Sequence, residues 1–553
     1  MAGTAPLVPA RAARGTRGAV VAPHHLATQA GLEVLAAGGH AVDAAIATNA
    51  VLAVVMPNGC GIGGDAFWLV WDETAGELTA LNGSGRSPAA ADAAALRDRG
   101  LDRIPLRGPL GITVPGAVRS WGDAHRRWGR LSRHRVLAEA IEQAGAGFAA
   151  WGGLVEAVER TAATVRDEAW ASAFRSTWRP DDRRLRPGER IRLPALASTL
   201  STLARDGFDA YYDGEIGEWL VTTLDRAGAP FTVEDFRAQA STWGTAIDTT
   251  YRGVRVATHP PNSSGIVALD ILGVLARFAP PDGATFTGRG WSDATWPHLQ
   301  LEAAKLAYAD RDAWLGDPAV RVGEIARFLD PAHAADLAGR IDPSHALADP
   351  DPARTLVGGT IYLATVDADG NAVSLIQSNA AGFGSGVLCA TTGVHFQNRG
   401  ASFSLDPSSP NVLEPRKRPA HTLMPAMWFR EGEARPWVVA GSMGGDIQPQ
   451  IHVQLVSAVV DGGADLATAV AAPRVVVAPD GYLAPPVAVE ADGQLAPGVA
   501  EGLLARGHRL SAAPYDGSLG HEHAIELVDG GPAAGGTLLA MTDPRSSGLP
   551  AVR

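Results

Sequence analysis

The chain of 553 residues holds only two cysteines, Cys60 and Cys389, which excludes a disulfide framework and a cysteine zinc site. It has no run of basic residues and a net charge of −12, which argues against nucleic acid and anionic membrane surfaces as partners. No uninterrupted apolar run approaches the ~20 residues of a membrane span. Arg11, Arg14 and Arg17 imitate the basic front of a signal peptide, but the apolar stretch 18–22 is too short and Pro23 follows it. A soluble cytoplasmic protein is the default expectation. Internal repeats and low-complexity linkers are also missing. What is present is 46% hydrophobic residues against 19% charged ones, enough for a large buried core.

Residues 18–22 read as a buried strand. Leu26, Ala30, Val34 and Ala37 then recur at helical spacing, closed by Gly38-Gly39. The segment 41–55 is a nearly all-apolar helix, which must be buried on most sides. A glycine-rich turn at 59–64 leads to a strand at 66–71. The stretch 131–225 reads as mostly helical, as do 266–278 and 298–314. From about Gly358 alternating strands take over, at 361–366, 372–377, 386–388 and 437–440, followed by a helix at 450–461. This interleaving predicts a layered α/β body. Residues 1–17, rich in Pro and Ala, are expected to fray.

Chemistry concentrates at Gly358-Gly359-Thr360, where a small-residue pair precedes a threonine at the head of an apolar strand. A cut between Gly359 and Thr360 would give Thr360 both a hydroxyl and a free α-amino group able to act as its base. An α-amino pKa of roughly 7.7–8.0 leaves a useful neutral fraction near neutral pH. Taken alone, the same residues also suit an ordinary strand-entry turn. The second feature is the segment 441–450, which holds Gly441-Ser442-Met443-Gly444-Gly445-Asp446 and joins a strand to a helix. Paired glycines at a helix start can aim two backbone N–H groups at one point, the form of an oxyanion hole, or can simply be a close-packed turn.

Other patterns fail their structural tests. The turn at 59–64 precedes a strand and no lysine follows, unlike a nucleotide loop. His24-His25 and His521-Glu522-His523 lack the spacing of a zinc hydrolase, so satisfied or surface histidines are expected there. Gly382-Phe383-Gly384-Ser385-Gly386 lacks the strand–turn–helix setting of a hydrolase elbow.

Thr360 with its strand pair and Gly444-Gly445 together resemble the γ-glutamyltranspeptidase family of N-terminal-nucleophile hydrolases. The resemblance runs nearly end to end, through Gly61-Ile62-Gly63-Gly64, Lys305-Leu306-Ala307-Tyr308-Ala309-Asp310-Arg311, Lys417-Arg418-Pro419 and Asp543-Pro544-Arg545. It implies a four-layer αββα sandwich with two central antiparallel sheets, built from two subunits cut from one precursor. The large subunit would be 18–359, after the frayed 1–17, and the small one 360–553. Thr360 would attack the Gly359 carbonyl in self-cleavage and later a substrate amide, forming an acyl-enzyme. Gly444 and Gly445 would supply the oxyanion N–H groups, and Ser378 the hydroxyl that bonds the nucleophile. Water would resolve the intermediate in a hydrolase, an amine in a transferase. No cofactor and no metal is implied. The partners implied are an acyl donor, its acceptor and the chain's own two subunits, with a dimer of these left open.

The substrate pocket departs from the family pattern. Ser84 falls where the arginine for the donor carboxylate belongs, with Arg86 two positions later. Ser402 replaces the acid for the donor amino group, and His421-Thr422 replaces a serine pair. Asn379 stands beside the position expected for an asparagine, and the segment 406–416 is short for a lid loop. Loss of both charged anchors implies poor glutathione turnover. The segments around Ser442, Met443 and Asp446 and around His421 look more like the divergent amidohydrolase branch, with oxamate amidohydrolase-like and acylase-like members. Arg86, Arg399, His421 and Thr422 are the candidates to hold a small carboxylate or oxalyl group. The alternatives are a γ-glutamyl enzyme with a rearranged pocket, a catalytically silent binding protein, and a member recruited to antibiotic biosynthesis.

Overall fold

A computed structural model describes residues 9–320, 325–348, 359–477, 487–490 and 495–553. Two seven-stranded sheets form its centre, every pairing within them antiparallel. The first runs Ala551–Val552, Ala19–Val21, Gly359–Val366, Ala372–Ala380, Asp65–Asp72, Glu77–Gly83 and Thr242–Thr245. The second runs Arg11–Gly15, Thr537–Thr542, His521–Val528, Val438–Met443, Ala426–Arg430, Val254–Thr258 and Ile247–Tyr251.

Strand alternation explains how the sheets meet. All eight residues of Gly359–Val366 are buried, so both faces of that strand are covered. Tyr362 and Ala364 pack with Phe67, Leu69, Ile376, Met427, Val439 and Ile525 between the two sheets. Ile361 and Leu363 point the other way, onto the helices His25–Ala36 and Ala41–Val55. On the far side Trp428, Val438 and Ala440 meet the helices Gly265–Leu275, Thr295–Trp314 and Gln448–Val460. The result is the expected αββα sandwich. Ala41–Val55 is buried at every residue, as its lack of a polar face requires.

Three local expectations are corrected. Within the head expected to fray, Arg11–Gly15 is an edge strand on Thr537–Thr542, and Arg11 donates to the carbonyls of Ser546 (3.1 Å) and Gly548 (2.7 Å). Backbone pairing holds this segment, with little apolar burial to mark it in the sequence. The strand expected to stop at Ala440 continues to Met443, and the next helix starts at Gln448, leaving a connection of only four residues. The strand expected at 386–388 is a two-residue pairing, Leu388–Cys389 with Val394–His395.

Candidate active site

Thr360, Ser378 and Asp65 are direct neighbours on three adjacent strands. Residues opposite one another across a ladder share a face, and these three share the face of Tyr362, Ile376 and Phe67, between the sheets. Thr360 Oγ1 donates to Ser378 Oγ (3.0 Å), which also accepts from the Ala380 N–H (2.8 Å) and donates to the Gly359 carbonyl (2.5 Å). The register shifts between Gly359 and Thr360, and a side chain on Gly359 would strike the Asn58 carbonyl. Thr360 is 1% exposed.

The strand Val438–Met443 of the facing sheet runs directly into Gly444 and Gly445. Gly444 has φ +157° and Gly445 φ +58°, and a Cβ on Gly444 would stand 2.8 Å from Ile451 Cδ1. Only glycine suits both positions. The loop is braced through Asp446: its carbonyl accepts from Tyr308 OH (2.5 Å), and its carboxylate lies 3.5 Å from Arg311 Nη1.

Ser402, His421, Thr422 and Asp446 come together around one cavity of about 460 Å³, with Ser264, Arg311 and Asn411. The short segment expected to lack a lid supplies a wall of it through Asp406, Ser408, Ser409 and Pro410. Arg399 stands behind Thr422. It is 1% exposed, donates to Thr422 Oγ1 (3.1 Å), and its Nε has no hydrogen-bond partner among the described residues. Burial lowers its pKa to about 10, with Asp65 and Asp446 opposing. Asn398, one residue earlier, accepts from the Ala381 N–H (2.9 Å), which ties this turn to the end of the Ser378 strand.

Other expected site residues lie elsewhere. Arg86 is not on the cavity: its guanidinium bonds Asp317 (3.3 Å) and the Arg416 carbonyl (3.0 Å), so a neighbouring carboxylate already takes its charge. Ser84 is sealed in the interior, bonded to Asn82 Oδ1 (2.6 Å), while its carbonyl accepts from Arg418 Nε (3.1 Å). Asn379 and Ser442 fall on the wrong side of their strands. Asn379 faces the helical layer with Leu375, against Gly61 and Gly64, where side chains would collide with it or with the Ser378 carbonyl. Ser442 shares the helix-side face of Val438 and Ala440, and its hydroxyl is unpartnered among the described residues. Met443 is partly exposed at the strand end.

Sequence reasoning missed Asp65. Its Oδ1 accepts from the Gly85 N–H (2.8 Å) and Gln397 Nε2 (2.8 Å), and its Oδ2 lies 3.1 Å from His421 Nε2. The Leu423 N–H donates to His421 Nδ1 (3.4 Å), so the imidazole is neutral and donates to Asp65 through Nε2. Burial, then the charge of Arg399, pushes the His421 pKa well below its usual value. Burial raises Asp65 to about 7, against the pull of Gln397 and Arg399. The available signal was a carboxylate heading an otherwise buried apolar strand, which has to be partnered. The His521–His523 pair also differs from expectation. His523 is fully buried, and both rings lack hydrogen-bond partners among the described residues.

The γ-glutamyltranspeptidase family model matches residues 27–552. The chain belongs to the γ-glutamyltranspeptidase family. Among curated relatives, the glutathione hydrolase-like YwrD proenzyme of Bacillus subtilis is 39% identical over 84% of this chain and 85% of its own length. The oxamate amidohydrolase proenzyme of Klebsiella pneumoniae is 36% identical over 97% and 98%. Among solved structures, the cephalosporin acylase of Bacillus halodurans superposes with TM-score 0.89 at 34% identity, over 100% of this chain and 99% of that one. This γ-glutamyltranspeptidase family member therefore has an N-terminal-nucleophile hydrolase fold and is an enzyme of amide hydrolysis or acyl transfer. No helix among the described residues is long and apolar enough to cross a membrane.

Proposed function

We propose that the chain cuts itself between Gly359 and Thr360 and then uses Thr360 to remove or transfer the acyl group of a small amide that carries a carboxylate, of the oxamate or oxalyl type. In the first step Thr360 Oγ1 bonds to the Gly359 carbonyl carbon, the C–N bond breaks, and the nitrogen leaves as the Thr360 α-amine. Water then hydrolyses the ester. In turnover that amine takes the hydroxyl proton as Oγ1 attacks the donor amide, and passes it to the leaving nitrogen. The Gly444 and Gly445 N–H groups are assigned to the oxyanion.

The observation that carries the substrate class is Arg399: a guanidinium buried within reach of the cavity wall, with one side-chain hydrogen bond and an unpaired Nε among the described residues. A buried charge held this loosely is suited to a carboxylate. The oxamate amidohydrolase relative supports the same class. A γ-glutamyl head fits less well, because Ser84 is sealed off and Ser402 offers no charge for an α-amino group. The Thr360–Ser378 bond argues against a silent binding protein, since core packing does not require it.

The test begins with purified protein and a Thr360→Ala variant on a denaturing gel with intact mass. Cleavage predicts pieces of about 37 and 20 kDa from the 57.3 kDa chain, the smaller beginning at Thr360, and no cleavage in the variant. The cut enzyme is then given oxamate and γ-glutamyl amides in parallel. Preference for the γ-glutamyl donor would overturn the substrate assignment, and an uncut chain would overturn self-processing.

A further inference from the structure

Asp270, on the helix Gly265–Leu275, is fully buried, and neither of its carboxylate oxygens has a hydrogen-bond partner among the described residues. It faces Asp310 of the helix Thr295–Trp314 and His333 of the helix Pro331–Gly339. One ligand atom from each of the three lies within 4.8 Å of the others. His333 Nε2 is 2.5 Å from Asp310 Oδ2, which accounts for those two groups and leaves Asp270 unmatched. A buried carboxylate with no partner costs several kcal/mol unless a proton or a cation neutralises it.

A second cluster, His298, Glu302 and His508, also has ligand-like spacing. There the Lys305 ammonium sits 2.8 Å from Glu302 Oε1, and His298 is bonded to His508 and to the Asp342 carbonyl. That cluster already contains its cation. Among the described residues, the Asp270 cluster does not.

We propose that Asp270, Asp310 and His333 bind one zinc ion, which cross-links three helices of the layer behind the second sheet. Two carboxylates and one imidazole balance a dication and leave a position for water, a donor set that suits zinc. Ligand atoms around tetrahedral zinc stand roughly 3.3 Å apart, so the three side chains need only shift by rotamer adjustment. Binding replaces the His333–Asp310 hydrogen bond with a bond from each residue to the metal. The site is separate from the chemistry at Thr360, yet its helix carries Tyr308 and Arg311, which brace Asp446 beside the paired glycines.

The test strips the full-length protein with a chelator, adds Zn2+, or Mg2+ as control, and measures bound metal after gel filtration together with the melting temperature. One zinc per chain and a melting point several degrees higher are expected, with no response to Mg2+. Asp270→Asn and His333→Ala should each weaken binding at least tenfold and abolish the shift. Stripped Asp270→Asn should melt no lower than the stripped parent, because it removes an uncompensated buried charge. If Asp270→Asn does not fold, His333→Ala, at a partly exposed residue, decides the question. Absence of stoichiometric zinc, or zinc retained equally by the folded variants, overturns the assignment.

Discussion

The Ser378 hydroxyl donates to the Gly359 carbonyl across 2.5 Å, so the bond proposed for cleavage is polarised by the same group that accepts from Thr360 Oγ1. Ser378→Ala removes both contacts. Its processing should slow by about 10²–10³-fold, the usual cost of losing an oxyanion-type donor, while Ser378→Thr should keep most of the rate. A time course of subunit appearance on gels checks this, and unchanged kinetics in the alanine variant would remove Ser378 from the step.

Arg399→Ala should raise KM for an anionic donor by about 10–100-fold, the equivalent of roughly 1.5–3 kcal/mol for a charge-assisted contact. An uncharged amide of similar size should be little affected. Arg86→Ala should leave KM within about twofold, since that side chain is off the cavity and spent on buried Asp317. Steady-state kinetics on both donors separate the two arginines, and the reverse pattern would move the carboxylate site to Arg86.

Asp65 predicts a pH signature. It faces the Arg399 and Arg418 guanidinium groups and the His421 imidazole, and it ionises as pH rises through about 7. Its anion then offsets Arg399 and repels a substrate carboxylate. The ratio of kcat/KM for anionic over neutral donors should therefore fall above pH 7, and in Asp65→Asn it should be flat. Taking the ratio cancels the titration of the Thr360 amine. The stability effect has the same sense: the folded pKa lies above the unfolded ~3.9, so the contribution of Asp65 is present at low pH and lost as pH rises through 7. Denaturation of parent and variant at pH 5 and 8 measures it.

Asp543 works in the opposite direction. Its carboxylate accepts from Arg474 Nη2 (2.8 Å), Arg545 Nε (2.7 Å) and the N–H groups of Glu522 and Arg545 (both 2.9 Å). Burial acts to raise its pKa, but the two guanidinium groups hold it well below the usual value. The stability it provides is present above pH ~4 and lost as pH falls further. Asp543→Asn should cost about 3–5 kcal/mol at pH 7, because Arg545 and Arg474 both lose the carboxylate they share in the interior, although Arg474 keeps its contact with Glu522 (3.2 Å). Denaturant titration gives the difference.

Some of the proposed active site was legible because it rests on contiguous residues. Thr360 heads a strand, Ser378 follows on the paired strand, and Gly444-Gly445 sits where a strand turns into a helix. Ser402, His421, Thr422 and Asp446 were marked by departures inside recognisable segments, and the structure gathers them around one cavity. Asn379 and Ser442 were misplaced by one strand position each, since a single residue decides which face of a sheet a side chain takes.

The sequence alone determined a layered α/β body, because period-two alternation and helical periodicity are local properties of the chain, and the resemblance carried by its ordered motifs supplied the sandwich and the proposed nucleophile. Tertiary structure alone decided how the charges are used. It set Asp65 against His421 across 356 positions and spent Arg86 on Asp317 across 231. It also left Arg399 with a single side-chain hydrogen-bond partner among the described residues. Burial and charge pairing at such separations depend on which strands become neighbours, and no local pattern in the chain encodes that.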